Sequence, residues 1–147
     1  MTGSDWTALA VGSYGSVVAT VALVWNILGA RRNVTVRVRY ARGFGFLSGS
    51  EAAAIEVINK GHRPIHIEEV GFFLSNGLKL IPHNLQNDLG WLKDGDGKSY
   101  YVPRQELDEM RQQAQKKGVT IVAAYVRDST STYYKGKIRK GAEWFDE

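Results

Sequence analysis

The period of the hydrophobic positions changes along the chain, and each change predicts an element. From Trp6 to Ala30 the chain runs 25 residues without a formal charge. At about 1.5 Å rise per residue, a helix of that length reaches about 37 Å, enough to cross a hydrocarbon layer of about 30 Å with some tilt. A soluble helix as long as this should carry a polar face with charge, and none is present. A cleaved leader would place its bases ahead of a shorter apolar core, whereas here the bases follow it. The pattern therefore predicts a membrane span over residues 6–30. Trp6 and Trp25 lie near its ends, where indoles favour the headgroup boundary. The hydroxyls of Thr7, Ser13, Ser16 and Thr20 can bond back to the helix backbone.

Beyond Arg32 the period drops to two. In Asn33–Tyr40, Val34, Val36 and Val38 point one way, and Thr35, Arg37 and Arg39 the other, as in a half-buried strand. Further strands are predicted over Ala52–Ile58, Ile65–Leu74, Leu78–Ile81, Ser99–Val102, Val119–Val126 and Thr132–Ile138. Gly43–Ser50 is a loop. Asn76-Gly77 predicts a tight hairpin turn, because both residue types tolerate positive φ. A helix is predicted from Pro103, at its first position, to Lys117. Gly118 ends it, and Leu107, Met110 and Ala114 form its apolar stripe. Residues 82–97 read as a long connection whose Leu85, Leu89, Trp91 and Leu92 should tuck onto the core. In each Tyr-Tyr pair, 100–101 and 133–134, one ring should point inward.

About seven short strands and one inserted helix predict a mainly β fold, an immunoglobulin-like β-sandwich behind a transmembrane helix, with a small β-barrel as the alternative. The organisation is a tail and span over 1–30, a basic segment and first strand over 31–42, the sandwich over 31–140 and a tail over 141–147.

Charge sharpens this picture. The chain of 147 residues has a net charge of +4. Residues 1–30 hold a single acid, Asp5, residues 31–42 hold five arginines, and the remainder balances fourteen bases against fourteen acids. The excess is thus local, which argues against a nucleic-acid-binding face. Positive flanks stay in the cytoplasm. The N-terminus is therefore expected outside and the domain inside, at the inner (plasma) membrane, with Arg31 and Arg32 attracting anionic lipid headgroups.

The segments Val57–Gly77 (VINKGHRPIHIEEVGFFLSNG) and Ala123–Lys137 (AAYVRDSTSTYYKGK) resemble small uncharacterised bacterial proteins with an N-terminal transmembrane helix and a β-rich cytosolic domain. The resemblance implies architecture and carries no activity.

Candidate chemistry is sparse. The chain has no cysteine, which excludes disulfides and a cysteine nucleophile. His62, His66, Glu68 and Glu69 lack the spacing of three or four converging zinc ligands. Asp94-Gly95-Asp96-Gly97 begins like a calcium loop, but Pro103 stands where the closing Glu is needed. No P-loop, dinucleotide fingerprint or nucleophile elbow is present. No catalytic residue, metal or cofactor is expected. Ala8, Gly12, Ser16 and Thr20 repeat small residues every fourth position, a stripe that lets span helices approach and points to a homo-oligomer. Trp91, Tyr101 and Tyr133 are candidates for a binding face, since such rings supply contact area at low entropy cost. The expected function is non-enzymatic: a single-pass protein, in contact with membrane lipid, whose domain binds a protein partner or ligand. The alternative is a defence-type effector whose helix oligomerises and perturbs the membrane when the domain senses a signal.

Overall fold

The computed structural model of the chain describes residues 3–29, 32–42 and 51–138. The expected loop over 43–50, Arg31 and the tail over 141–147 lie outside the described residues.

One continuous helix, α1, spans Gly3–Gly29. Its window Ala10–Ile27 is long and apolar enough to cross a membrane, and none of it is buried against the rest of the protein. Three of its hydroxyls are satisfied within the helix: Ser13 Oγ donates to the Ala10 carbonyl at 2.9 Å, Ser16 Oγ to the Ser13 carbonyl at 2.8 Å and Thr20 Oγ1 to the Ser16 carbonyl at 2.8 Å. These bonds remove the main cost of placing such residues among lipid tails.

Among the described residues eight strands follow: β1 (Val34–Arg42), β2 (Glu51–Asn59), β3 (Ile65–Leu74), β4 (Lys79–Leu80), β5 (Gly90–Leu92), β6 (Gly97–Pro103), β7 (Ile121–Asp128) and β8 (Tyr133–Lys137). A second helix, α2 (Arg104–Lys116), is inserted between β6 and β7. The first sheet has the order β1-β2-β6, and the second β4-β3-β7-β8, with β5 also on β3. All of these pairings are antiparallel. Among the described residues no ladder joins the two sheets, so the architecture is a two-sheet sandwich and not a closed barrel.

Alternation places the core as expected. Val36, Ile55 and Val57 of the first sheet meet Ile67, Val70, Phe72, Ala124 and Val126 of the second, and Leu107 and Met110 of α2 close one side. Tyr100 is buried while Tyr101 faces out, and Tyr134 packs on the core while Tyr133 faces out. Gly77 turns the β3–β4 hairpin at φ 83°, and Gly118 follows α2 at φ 69°. Pro103 precedes α2 with ψ 143° as its N-cap, one position earlier than expected. That is the extended conformation its place at the end of β6 requires.

The connection over 82–97 departs most from expectation. It contains β5, and only part of it packs inward: Leu92 is buried and Leu85 half-buried, but Leu89 and Trp91 are exposed. Glu106, at the start of α2, is buried and accepts the backbone N–H groups of His83 and Asn84. Farther along, Gln86 and Tyr101 exchange backbone hydrogen bonds at 2.9 and 3.1 Å, and the Asn87 side chain donates to the Ser99 carbonyl at 2.6 Å. The connection thereby covers the edge of β6 that would otherwise offer free strand groups for aggregation.

The edges of the two sheets converge where β8 passes β1. A Cβ on Gly136 would lie 2.6 Å from the Val36 carbonyl oxygen and 2.9 Å from its Cγ1. Only glycine permits this approach. Gly136→Val should force β8 away from β1 and lower stability by about 3 kcal/mol, the upper end for overpacking. A urea midpoint unchanged from the parent would refute this.

Candidate functional site

Three features lie close to the junction between helix and domain. The first is a polar hub around Asp128, the last residue of β7. Asp128 is 1% exposed. Its Oδ1 accepts the Thr130 N–H at 2.9 Å, the Thr130 hydroxyl at 2.7 Å and the Thr132 N–H at 3.1 Å. Its Oδ2 accepts the Tyr134 hydroxyl at 3.0 Å and the Arg32 guanidinium at 2.6 Å. Burial acts to raise the carboxyl, but the bonds from Thr130, Thr132 and Tyr134 outweigh it and hold Asp128 below the usual carboxylate range. Burial, and then the bond to Asp128, push the Tyr134 phenol up to about 12. Asp128-Ser129 reads in sequence as a turn whose side chain bonds nearby backbone, and the structure agrees. What sequence reasoning missed is Arg32. Its guanidinium bonds Asp128 and the Thr130 hydroxyl, a partnership additional to the headgroup contact expected of it. It ties the chain three residues past α1 to the β7–β8 turn. A separation of 96 positions hides such a pair from any local pattern.

A second buried polar residue, Asn59, organises the same end of the sandwich. It is fully buried. Its Nδ2 donates to the carbonyls of Arg63 (2.7 Å) and Leu92 (3.2 Å), and its Oδ1 accepts the Gly61 N–H (3.1 Å). Its backbone exchanges bonds with Asp96 and Gly95. The loop over 60–64, β5 and the turn over 93–97 are therefore one knot.

The third feature is an open groove of roughly 710 Å³ along β1, lined by Thr35, Val36, Arg37, Val38, Arg39 and Lys137. Arg39 pairs with Glu56 at 3.1 Å. Arg37 and Lys137 are exposed and, among the described residues, form no ion pair. The groove is basic, and among the described residues no acid lines it.

The candidate aromatics do not form one surface. Tyr101 is on the outer face of the first sheet. Trp91 and Tyr133 are both on the outer face of the second, but β3 and β7 separate their strands. Trp91 is 68% exposed and meets the His66 ring edge-on at 5.0 Å. Tyr133 joins a cluster with Phe73 and Tyr125, whose rings lie 6.1 and 5.6 Å from it, and Lys79 Nζ lies 4.1 Å from its centroid. Beneath this cluster Tyr125 is fully buried and donates to Glu69 at 2.6 Å. Burial first, and then that bond, raise its phenol well above the usual range.

Of the helix residues, Trp25 is 78% exposed, and added Cβ atoms on Gly12 and Gly15 would meet open space. Trp6 and Ala8 lie within α1. Among the described residues no three His, Cys, Asp or Glu side chains cluster. His62 instead pairs with Asp94 at 3.3 Å.

Compared with known protein families, with curated proteins and with solved structures, the chain matches none.

Proposed function

We propose that the chain is a single-pass membrane protein whose domain binds an acidic protein partner or anionic ligand in the basic groove between β1 and β8, close to the inner membrane surface. The observation that carries this reading is α1: a long apolar helix, exposed throughout its Ala10–Ile27 window, joined within a few residues to a domain whose own core is complete without it. Leaving so much apolar surface in water is unfavourable, and a bilayer removes it. The five arginines over 31–42 support an N-terminus outside and a cytoplasmic domain. The strand order supports an immunoglobulin-like sandwich: β1-β2-β6 corresponds to strands A, B and E, and β4-β3-β7-β8 to C′, C, F and G. The proposed role is non-enzymatic binding through the cations of the groove, Arg37, Arg39 and Lys137.

Reporter fusions and alkaline extraction test the topology. A C-terminal reporter active only outside the cytoplasm would defeat the orientation, and release of the chain by alkaline wash would defeat the span. For the groove, Arg37→Glu with Lys137→Glu should abolish co-purification of the partner from solubilised membranes. Retention at parental yield would reject the groove.

A second reading is favoured by the open space at Gly12 and Gly15. Here α1 packs against copies of itself through Ala8, Gly12, Ser16 and Thr20, and perturbs the membrane when the domain senses a signal. Gly12→Leu with Ser16→Leu should then relieve any growth defect on expression. Undiminished toxicity would remove the basis for this reading.

A further inference from the structure

We infer that the end of the sandwich nearest α1 is itself a lipid-facing surface, on which Lys60, Arg63 and Lys93 meet anionic phospholipid headgroups and Trp91 rests at the headgroup boundary. This rests on the reading of α1 as a span.

Connectivity brings these residues to the membrane. Gly29 ends α1, and Asn33 follows four residues later. Whatever path the link takes, Asn33 lies within about 14 Å of the helix end. The Asn33 carbonyl accepts the Lys60 N–H at 2.6 Å, so the loop over 60–63 begins at that point. The polar layer of a bilayer is about 5–8 Å deep on each side, and long basic side chains extend toward it. The Asn59 knot then fixes Lys93 and Trp91 at the same end, through its bonds to Leu92 and to the turn over 93–97.

The chemistry matches that placement. Lys60, Arg63 and Lys93 are exposed, and among the described residues none forms an ion pair. Two exposed acids share this end, Asp96 and Asp94, and His62 engages Asp94. Trp91 leaves most of its indole in water, an unfavourable state in a soluble domain but the preferred one at a headgroup boundary. An anionic inner leaflet attracts bases held near its surface. The span at one side of this end and the bases on it thus address one partner, acidic lipid.

Because the chain has no cysteine, one introduced thiol can be labelled alone. The full chain would carry a fluorophore at Pro64→Cys, or at Asn76→Cys in the turn at the far end of β3, in vesicles with nitroxide-labelled headgroups. Quenching at 64 is expected to be markedly stronger in phosphatidylcholine containing phosphatidylglycerol than in phosphatidylcholine alone, with little at 76 in either. Lys60→Glu, Arg63→Glu and Lys93→Glu together should eliminate that difference, and Trp91→Ser should weaken it, with the thermal midpoint of the domain unchanged. Equal quenching at 64 in the two vesicles would overturn the inference. Equally weak quenching at 64 and 76, in a chain that resists alkaline extraction, would overturn the lipid-facing surface and leave the span standing. Release by alkaline wash would overturn both. Shielding at 64 that grows with protein density in neutral vesicles would assign this end to a second copy and overturn the inference.

Discussion

Asp128→Ala should destabilise the sandwich by about 3 kcal/mol, the range for removing a buried, multiply bonded charge. The substitution strands the N–H groups of Thr130 and Thr132 and the Tyr134 hydroxyl, and it releases Arg32. Arg32 is about one-third exposed, so its guanidinium regains water, which keeps the loss at the lower end of that range. Asp128→Asn should cost less, because the amide keeps the shape and one acceptor but not the charge. The pH dependence separates charge from shape. Since folding lowers the Asp128 pKa, its ionised form contributes stability that is present above the unfolded value of about 3.9 and lost as pH falls through the folded value. Tyr134 sets the opposite limit. Raised to about 12, it contributes stability fully present below about 10 and lost as pH rises through about 12. Urea midpoints measured across pH should show the Asp128→Asn difference widest near neutrality and closing below about pH 4. A gap that stays constant down to acid pH would mean that the carboxylate charge contributes nothing.

The second large effect is expected in α1. Val18 lies at the centre of the Ala10–Ile27 window. An acid there costs about 2.5–3.5 kcal/mol of insertion free energy, roughly 60- to 300-fold in partition at about 1.4 kcal/mol per tenfold. The Ala10–Ile27 window already contains Gly, Ser and Thr, so it has little excess apolarity to absorb that loss. Val18→Asp should move the chain from the alkaline-resistant membrane fraction to the soluble or aggregated fraction, while Val18→Leu stays in the membrane. The domain does not pack on this window, so its unfolding midpoint should be unaffected. Continued membrane integration of Val18→Asp would argue that the helix is not crossing the bilayer as a single span.

Local pattern was enough for most elements. The Ile65–Leu74 strand matches at both ends, and the α2 stripe and the inward member of each Tyr-Tyr pair are as read, because each depends on a period of two or 3.6 that near neighbours carry. Boundaries slipped at the ends of β1, β2 and β7, where cross-strand partners extend the ladder beyond the alternating run. β5 was not legible. Three residues hold no period, and Gly90–Leu92 is a strand only because β3 offers it an edge. Hydrophobicity alone places Leu89 and Trp91 in the core, but it does not say whether any partner lies opposite, and both are exposed.

For this protein the amino-acid sequence by itself determined the uncharged helix, the arginine flank, the mainly β character and the absence of a cysteine site, all of which are properties of composition and short-range period. Tertiary structure decided what no period encodes. It joined Arg32 to Asp128 across most of the chain, buried Asn59 and Glu106 as ties between distant loops, divided Trp91, Tyr101 and Tyr133 between two faces, and bonded the Lys60 backbone to Asn33, four residues past α1. Those pairings depend on which strands become neighbours, and that is fixed by the packing of two whole sheets rather than by any segment within them.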